Sequence, residues 1–309
     1  MIFTLTPNPA VDITYAVPRL LVGESHRVSV TGTHAGGKGL NVAGVLSCMG
    51  LDHVAIAPVG EQHRGFFEDD SAQRGIRLRV IDSPVTTRRS VAVFSADGLA
   101  TVLNEQGAPQ PSQVWEQLID MVRSSCRPGD VFTISGSLPP NTADADVVTL
   151  CVAAAEAGAE LVVDGRGHWV TEVLARTPAF VKPNESEAAA MTGIEDPLEA
   201  ARALVAQGAW AALISRGAEG LVLVTATGRV IEAKPRTPGV GNATGAGDAL
   251  TAAISAGLDG LKRDEVDWPE VLRVGVAWSA AAVRQTVAGV VDTADVEALL
   301  DDVDITEHA

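Results

Sequence analysis

The chain predicts a three-layer α/β/α fold, a mainly parallel sheet between two layers of helices, with a small β-sheet lid attached. Three observations point there. From Pro111 onward, short apolar β-type runs alternate with helical runs, a pattern that makes successive strands parallel and covers both faces of their sheet. The first third of the chain carries half-exposed, alternating segments in two insertions, at about residues 12–34 and 86–106, which suits a lid rather than an independent domain. With 309 residues and 46% hydrophobic content there is material for one large core, so residues 1–309 are read as a single domain.

Taken in order, Ile2 to Thr6 reads as a first strand, ended by Pro7 and Pro9, which cannot continue a ladder. Two β-like runs, Ile13 to Val17 and His26 to Thr31, belong to the first lid insertion. Gly36-Gly37-Lys38-Gly39 then opens a helix from Leu40 to Met49, stopped by Gly50. A buried-type strand from His53 to Val59 and a helix from Arg64 to Gln73 follow. In the second insertion, Arg88 to Ser95 and Leu99 to Asn104 flank the turn signal Ala96-Asp97-Gly98. The α/β part is expected to run helix Ser112 to Ser125, strand Val131 to Ser135, helix Ala143 to Ala157 and strand Glu160 to Asp164. Strand Phe180 to Lys182, helices Glu185 to Met191 and Leu198 to Gln207, and strand Ala211 to Ser215 come next. A hairpin of Leu221 to Thr225 and Arg229 to Ala233 precedes three last helices, Asp248 to Ala256, Trp268 to Arg284 and Ala294 to Asp301.

Charge and cysteine usage narrow the class. Lys plus Arg total 23 against 39 Asp plus Glu, a net charge of −16, and no basic run occurs, so nucleic acid and anionic membrane are not expected partners. Cys48, Cys126 and Cys151 lie far apart without C-x-x-C spacing, which fits free thiols in a reducing cytoplasm. The N-terminus lacks the basic and apolar regions of a signal peptide, and no apolar run approaches membrane-spanning length. A cytoplasmic protein is expected.

Two glycine-rich loops carry the chemistry. Gly241-Asn242-Ala243-Thr244-Gly245-Ala246-Gly247-Asp248 feeds a helix N-terminus, where glycines let a ligand approach and unpaired N–H groups suit an anion. Asp248 is repulsive in such a place unless it takes a proton from a hydroxyl that attacks a phosphoryl group. The blander reading is a carboxylate complementing the helix dipole. Gly36-Gly37-Lys38-Gly39-Leu40-Asn41 is a second Gly-rich turn into a helix, able to hold a sugar phosphate or hydroxyls with Lys38 and Asn41. Neither loop fits a Walker A or a dinucleotide fingerprint.

With these motifs in view, the chain resembles the ribokinase-like (PfkB) carbohydrate kinases over essentially its whole length, in particular the 1-phosphofructokinase and tagatose-6-phosphate kinase branch. Thr4 to Asp12 resembles T-x-N-P-A-x-D, and Gly36 to Ala43 is similar to G-G-K-G-x-N-V-A. Ser135-Gly136-Ser137-Leu138-Pro139, Lys182-Pro183-Asn184-Glu185-Ser186-Glu187 and Ser215-Arg216-Gly217-Ala218-Glu219-Gly220 follow in the family's order. The resemblance implies a ribokinase-like fold and the use of ATP and Mg²⁺. Asp248 would be the catalytic base, with Gly245, Ala246 and Gly247 presenting N–H groups to the moving phosphoryl. Asp12, Gly36, Gly37, Lys38, Asn41 and Ser137 would bind the sugar, and Lys38, Arg27 and Arg88 would supply the positive groups for its phosphate. Ser215, Gly217, Gly220, Gly245 and Gly247 would line the nucleotide. Asn184 and Glu187 would order Mg²⁺, although the same pair satisfies a capping box equally well.

The expected reaction is phosphorylation of fructose 1-phosphate to fructose 1,6-bisphosphate. Tagatose 6-phosphate or fructose 6-phosphate is the alternative acceptor, and a catalytically inactive sugar-phosphate sensor is the non-kinase alternative. A homodimer through the lid is expected on family analogy. Adenine is expected to pack on the helix around Val276 to Val283, with Trp278 in the core. Gly165-Arg166-Gly167 departs from the family's common D-x-S-G after Asp164, and Arg216 replaces a usual small or aliphatic residue.

Overall fold

The computed structural model describes residues 1–96, 100–239 and 241–308. A ten-stranded sheet forms the centre, and its strands come from both halves of the chain. β1 (Ile2–Leu5) is followed by β2 (Ala10–Val17) and β3 (Ser29–Gly36), then α1 (Lys38–Cys48), β4 (His53–Gly60), α2 (Arg64–Gln73) and β5 (Leu78–Ser83). β6 (Arg88–Ser95) and β7 (Ala100–Asn104) precede α3 (Ser112–Ser125), β8 (Val131–Ser135), α4 (Asp144–Glu156), β9 (Glu160–Asp164) and α5 (His168–Leu174). Then come β10 (Phe180–Val181), α6 (Glu185–Thr192), α7 (Pro197–Ala206), β11 (Ala211–Ser215), β12 (Leu221–Thr225) and β13 (Val230–Pro235). α8 (Ala246–Leu258), α9 (Trp268–Val283), α10 (Thr293–Leu300) and β14 (Val303–His308) complete the chain.

The large sheet runs β14-β13-β12-β11-β10-β9-β8-β1-β4-β5 and is parallel from β11 to β5, with β12, β13 and β14 added antiparallel. Its two faces follow from the period of two along each strand. Phe3, Leu5, Phe132, Ile134, Leu161 and Val163 point to the layer of α3 to α7. Their neighbours Ile2, Val131 and Val162 point the other way, against α1, α8, α9 and α10. Each such Leu, Ile or Phe contributes about 1.5–3 kcal/mol by leaving water.

β3, β2, β6 and β7 form a separate four-stranded sheet, in that order, from the two insertions. The hairpin turn expected at Ala96-Asp97-Gly98 falls mostly outside the described residues. β2 begins earlier than expected, at Ala10, and β3 runs from Ser29 to Gly36 rather than from His26 to Thr31. The cause is pairing: Ala10 to Asp12 lie opposite Gly36 to His34, so the strands extend up to the Gly-rich loop.

Three elements were not anticipated. β5 is a half-exposed edge strand, α5 is a short crossover helix after Asp164, and β14 is a mixed-polarity strand closing the sheet beside β13. Trp278 is buried, as expected. Val276 and Ala277 are buried too, in the packing of α9 within the core, while Val283 at the end of α9 is half-buried.

Candidate active site

The carboxyl ends of β1, β8, β9 and β10 meet the N-termini of α1 and α8, and the site is built where they converge. β3 delivers the first loop. Gly37 has φ 115°, a conformation that costs glycine little, and a Cβ there would stand 2.5 Å from the Thr6 methyl. Gly36 lies against Asp12, where a Cβ would come within 2.0 Å of the carboxylate. Asp12 is pushed up to about 6 by burial, which Arg88, Ser90, Arg74 and His34 only partly offset.

The second loop turns into α8 through Gly245, which has φ 90° and occupies the N-cap. This aims the first helical turn at the cleft and puts Asp248 in that turn, 5% exposed. Its carboxylate accepts a 2.8 Å hydrogen bond from the Asn41 side-chain amide on α1. Burial pushes the Asp248 carboxyl up to about 6; Lys38, Asn41 and Lys182 pull it down while Asp164 pushes it further up. A carboxylate poised there is a base near neutral pH.

Beneath both loops lies Asp164, the last residue of β9 and 1% exposed. It faces the Lys38 ammonium at 3.2 Å and the Lys182 ammonium at 3.5 Å, and accepts from the Thr251 hydroxyl at 3.1 Å. Burial would raise its carboxyl, but the two lysines outweigh that and hold it below the ordinary carboxylate range. Burial would likewise lower Lys38, yet Asp164 and Asp248 hold it above the usual lysine value. Two cations therefore sit on one buried anion, leaving net positive charge below the Gly245–Asp248 turn. Sequence reading missed Asp164, Lys182 and Thr251 as site residues. A lone Asp at the end of an apolar strand, followed by a Lys at the end of the next, was the available signal.

A cleft of about 800 Å³ opens above this cluster. Asp12, Gly37, Lys38, Asn41, Arg88, Ser137, Glu187, Gly245, Gly247 and Asp248 all line it, so most residues singled out from sequence share one cavity. Arg88 is held there by the Asn8 and Glu105 carbonyls, at 3.1 and 3.2 Å. Gly36 backs onto Asp12 instead of lining the cleft, and the Ala246 carbonyl accepts from Ser279 at 2.9 Å.

Arg27 does not reach the cleft of its own chain. β3 starts only at Ser29, which leaves Arg27 exposed in the segment before it. Ser215, Gly217 and Gly220 also lie outside this cavity, at the turn after β11, where Ser215 bridges to Asn184. Asn184 itself caps α6: its side chain accepts from the Glu187 N–H at 2.9 Å, while the Glu187 carboxylate accepts from the Asn184 N–H at 3.1 Å. Among the described residues no group of three or more His, Cys, Asp or Glu gathers to hold a metal. Glu187 lines the cleft and only one of its carboxylate oxygens takes part in the cap, which fits a cation held through water and phosphate oxygens rather than in an all-protein cage.

Comparison with known proteins agrees with this arrangement. The model of the pfkB family carbohydrate kinases matches residues 6–294. A 1-phosphofructokinase of Escherichia coli strain K12 is 32% identical over 98% of this chain and 97% of its own. One from Haloferax volcanii is 34% identical over 96% and 95%. Among solved structures, the tetrameric inhibited form of phosphofructokinase-2 from Escherichia coli superposes with a TM-score of 0.88 at 26% identity, covering 97% of this chain and 98% of that one. No described helix is long and apolar enough to cross a membrane. With its fold, the order of its motifs and its relatives in agreement, the chain belongs to the PfkB family of carbohydrate kinases and is 1-phosphofructokinase-like.

Proposed function

We propose that the protein transfers the terminal phosphoryl group of ATP to fructose 1-phosphate at its 6-hydroxyl, with Asp248 as the base. The observation that carries this reading is the buried Asp248 carboxylate, tied to Asn41 and standing over the Lys38–Asp164–Lys182 cluster at a helix N-terminus. In the reaction, the acceptor hydroxyl attacks the γ-phosphorus and its proton passes to Asp248. The bond from phosphorus to the bridging oxygen breaks, and ADP leaves. N–H groups of the Gly245–Gly247 turn and Lys38 meet the charge spread over the transferring oxygens. Asp12 orients the sugar hydroxyls, and Arg88 receives its existing phosphate. Mg²⁺, held through Glu187 and the nucleotide phosphates, would neutralise the charge on the β- and γ-oxygens.

The acceptor is chosen on the names of the relatives, several of which are 1-phosphofructokinases. A similar phosphofructokinase-2 structure, TM-score 0.86, is described in complex with fructose-6-phosphate, which makes that sugar the competing acceptor. ADP release measured over fructose 1-phosphate, fructose 6-phosphate, tagatose 6-phosphate and the free ketohexoses decides among them. The strongest turnover on fructose 1-phosphate is expected; turnover on free sugars alone would remove Arg88 as a ligand of the sugar's phosphate.

The four-stranded sheet is read as a lid that closes on the sugar and excludes water. Exposed Val30 and Leu103 on its strands, with Val22 and Val28 in the connection between β2 and β3, support a homodimer formed through it. Light scattering should give twice the 32.0 kDa chain mass, and a Val30→Asp, Leu103→Asp double variant should give the single mass. The three cysteines, all unpaired, fit a cytoplasmic location.

A further inference from the structure

Arg166 is the one cation lining the cleft that the reading above leaves without work. It stands between two glycines, and its surroundings fix its backbone. The Trp169 indole N–H donates to the Arg166 carbonyl at 2.9 Å, and a Cβ on Gly165 would lie 2.2 Å from the same indole ring. Gly167, at φ 109°, then starts α5. The turn is therefore held in place while the Arg166 side chain is exposed at the cleft.

The other two cations of the cleft are engaged. Lys38 pairs with Asp164, and Arg88 donates to the Asn8 and Glu105 carbonyls. Among the described residues, Arg166 makes no side-chain hydrogen bond and no ion pair, although carboxylates outnumber cations in this chain by 39 to 23. An exposed arginine left unpaired in so acidic a protein, and lining a cleft, suits a polyanion. Its place in the sheet narrows the choice of which one. β9, from which Arg166 emerges, lies between β8, which leads into Ser137, and β10, which leads into Lys182 and the Asn184–Glu187 cap. Arg88, by contrast, belongs to the four-stranded sheet on the sugar side.

On these grounds, and resting on the phosphoryl-transfer reading above, we propose that Arg166 binds the β-phosphate oxygens of the nucleotide and neutralises the charge that the departing ADP acquires. When the bond between the γ-phosphorus and the bridging oxygen breaks, its electron pair goes to that oxygen, and the planar guanidinium is suited to meet two phosphate oxygens at once. Donor and acceptor phosphates would then be held by different arginines, Arg166 and Arg88.

The test is equilibrium binding of ADP with Mg²⁺, and separately of fructose 1-phosphate, by titration calorimetry on wild type, Arg166→Ala, Arg166→Lys and the surface control Arg202→Ala. Loss of a charge-assisted contact predicts that Arg166→Ala weakens ADP by about tenfold or more, with fructose 1-phosphate held within about twofold and partial recovery in Arg166→Lys. Since Arg166 is exposed, its variants should keep the wild-type melting temperature. ADP affinity in Arg166→Ala within twofold of wild type would overturn the proposal. So would a loss confined to fructose 1-phosphate, which would make Arg166 a ligand of the acceptor. If the wild type binds ADP but phosphorylates no ketohexose phosphate, the proposed reaction fails, while the ADP titration still reads the role of Arg166.

Discussion

The Asn41 side-chain amide donates to the Asp248 carboxylate at 2.8 Å, joining the first helix of the chain to the eighth across 207 positions. This contact connects the Gly36–Gly39 loop to the Gly245–Asp248 loop, and it lowers the proton affinity of a carboxylate that burial has raised. Because burial pushes both Asp12 and Asp248 up to about 6 and the proposed reaction uses both as anions, kcat/KM should fall as pH drops through 6, with a limiting slope between one and two. Asn41→Ala removes a hydrogen bond to the charged form and should move this acid limb to higher pH by about one unit. An unmoved limb would show that Asp248 does not govern it.

The same burial makes Asp248 a liability to the fold. The folded chain holds its proton more tightly than the unfolded chain, so the cost is absent below the ordinary carboxylate value of 3.8. It develops between about pH 4 and 6, and is full above that. The shift from 3.8 to about 6 corresponds to about 3 kcal/mol. Asp248→Asn should therefore be more stable than wild type in denaturant melts at pH 7.5, and the difference should shrink as pH is lowered toward 4. Equal stability at both pH values would contradict the burial argument.

Asp164 behaves oppositely, because its partners outweigh its burial. Asp164→Asn leaves Lys38 and Lys182 without their shared counter-charge and should cost about 3–5 kcal/mol of stability, the range for a broken buried pair. Turnover should fall as well. Adding Lys182→Met should restore part of the stability but not the turnover, since one of the two cations below the Gly245–Asp248 turn is then gone. Full recovery of both would make the cluster purely structural.

How much of this was open to sequence reading varied with the kind of signal. The parallel core was legible because Val131 to Ser135 and Glu160 to Asp164 are short apolar runs separated by helical ones, and burial on both faces demands that pattern. Two parallel neighbours such as β9 and β10 cannot be joined directly, so a helix between Asp164 and Phe180 was required by topology even though none was assigned there. β5 and β14 were hidden for another reason: edge strands bury only part of each face, so Arg79, Asp82, Glu307 and His308 break the apolar signal. The loops at Gly36 and Gly245 were legible from their glycines as turns into helices, and both border one cleft. Asp164 was legible only as a carboxylate ending an apolar strand ahead of Lys182 at the end of the next; its meeting with Lys38, 126 positions away, leaves no trace in spacing.

Gly36 offers a steric test of the sugar side. A Cβ at this position would fall 2.0 Å from the Asp12 carboxylate, so Gly36→Ala must displace Asp12. The expected outcome is a rise in KM for the sugar phosphate of about tenfold or more, the size of losing one charged hydrogen bond, with little change in KM for ATP. A change confined to ATP would mean that Asp12 does not hold the sugar.

The central claim is that Asp248 takes the proton of the acceptor hydroxyl, and it is tested most directly by following phosphoryl transfer from ATP to fructose 1-phosphate in Asp248→Asn while titrating the same sugar phosphate onto the protein. The account predicts that kcat falls by about 10²–10⁴, the usual contribution of a general base, with sugar-phosphate affinity within a few-fold of wild type. Turnover within about tenfold of wild type in a variant that still binds the sugar would contradict it.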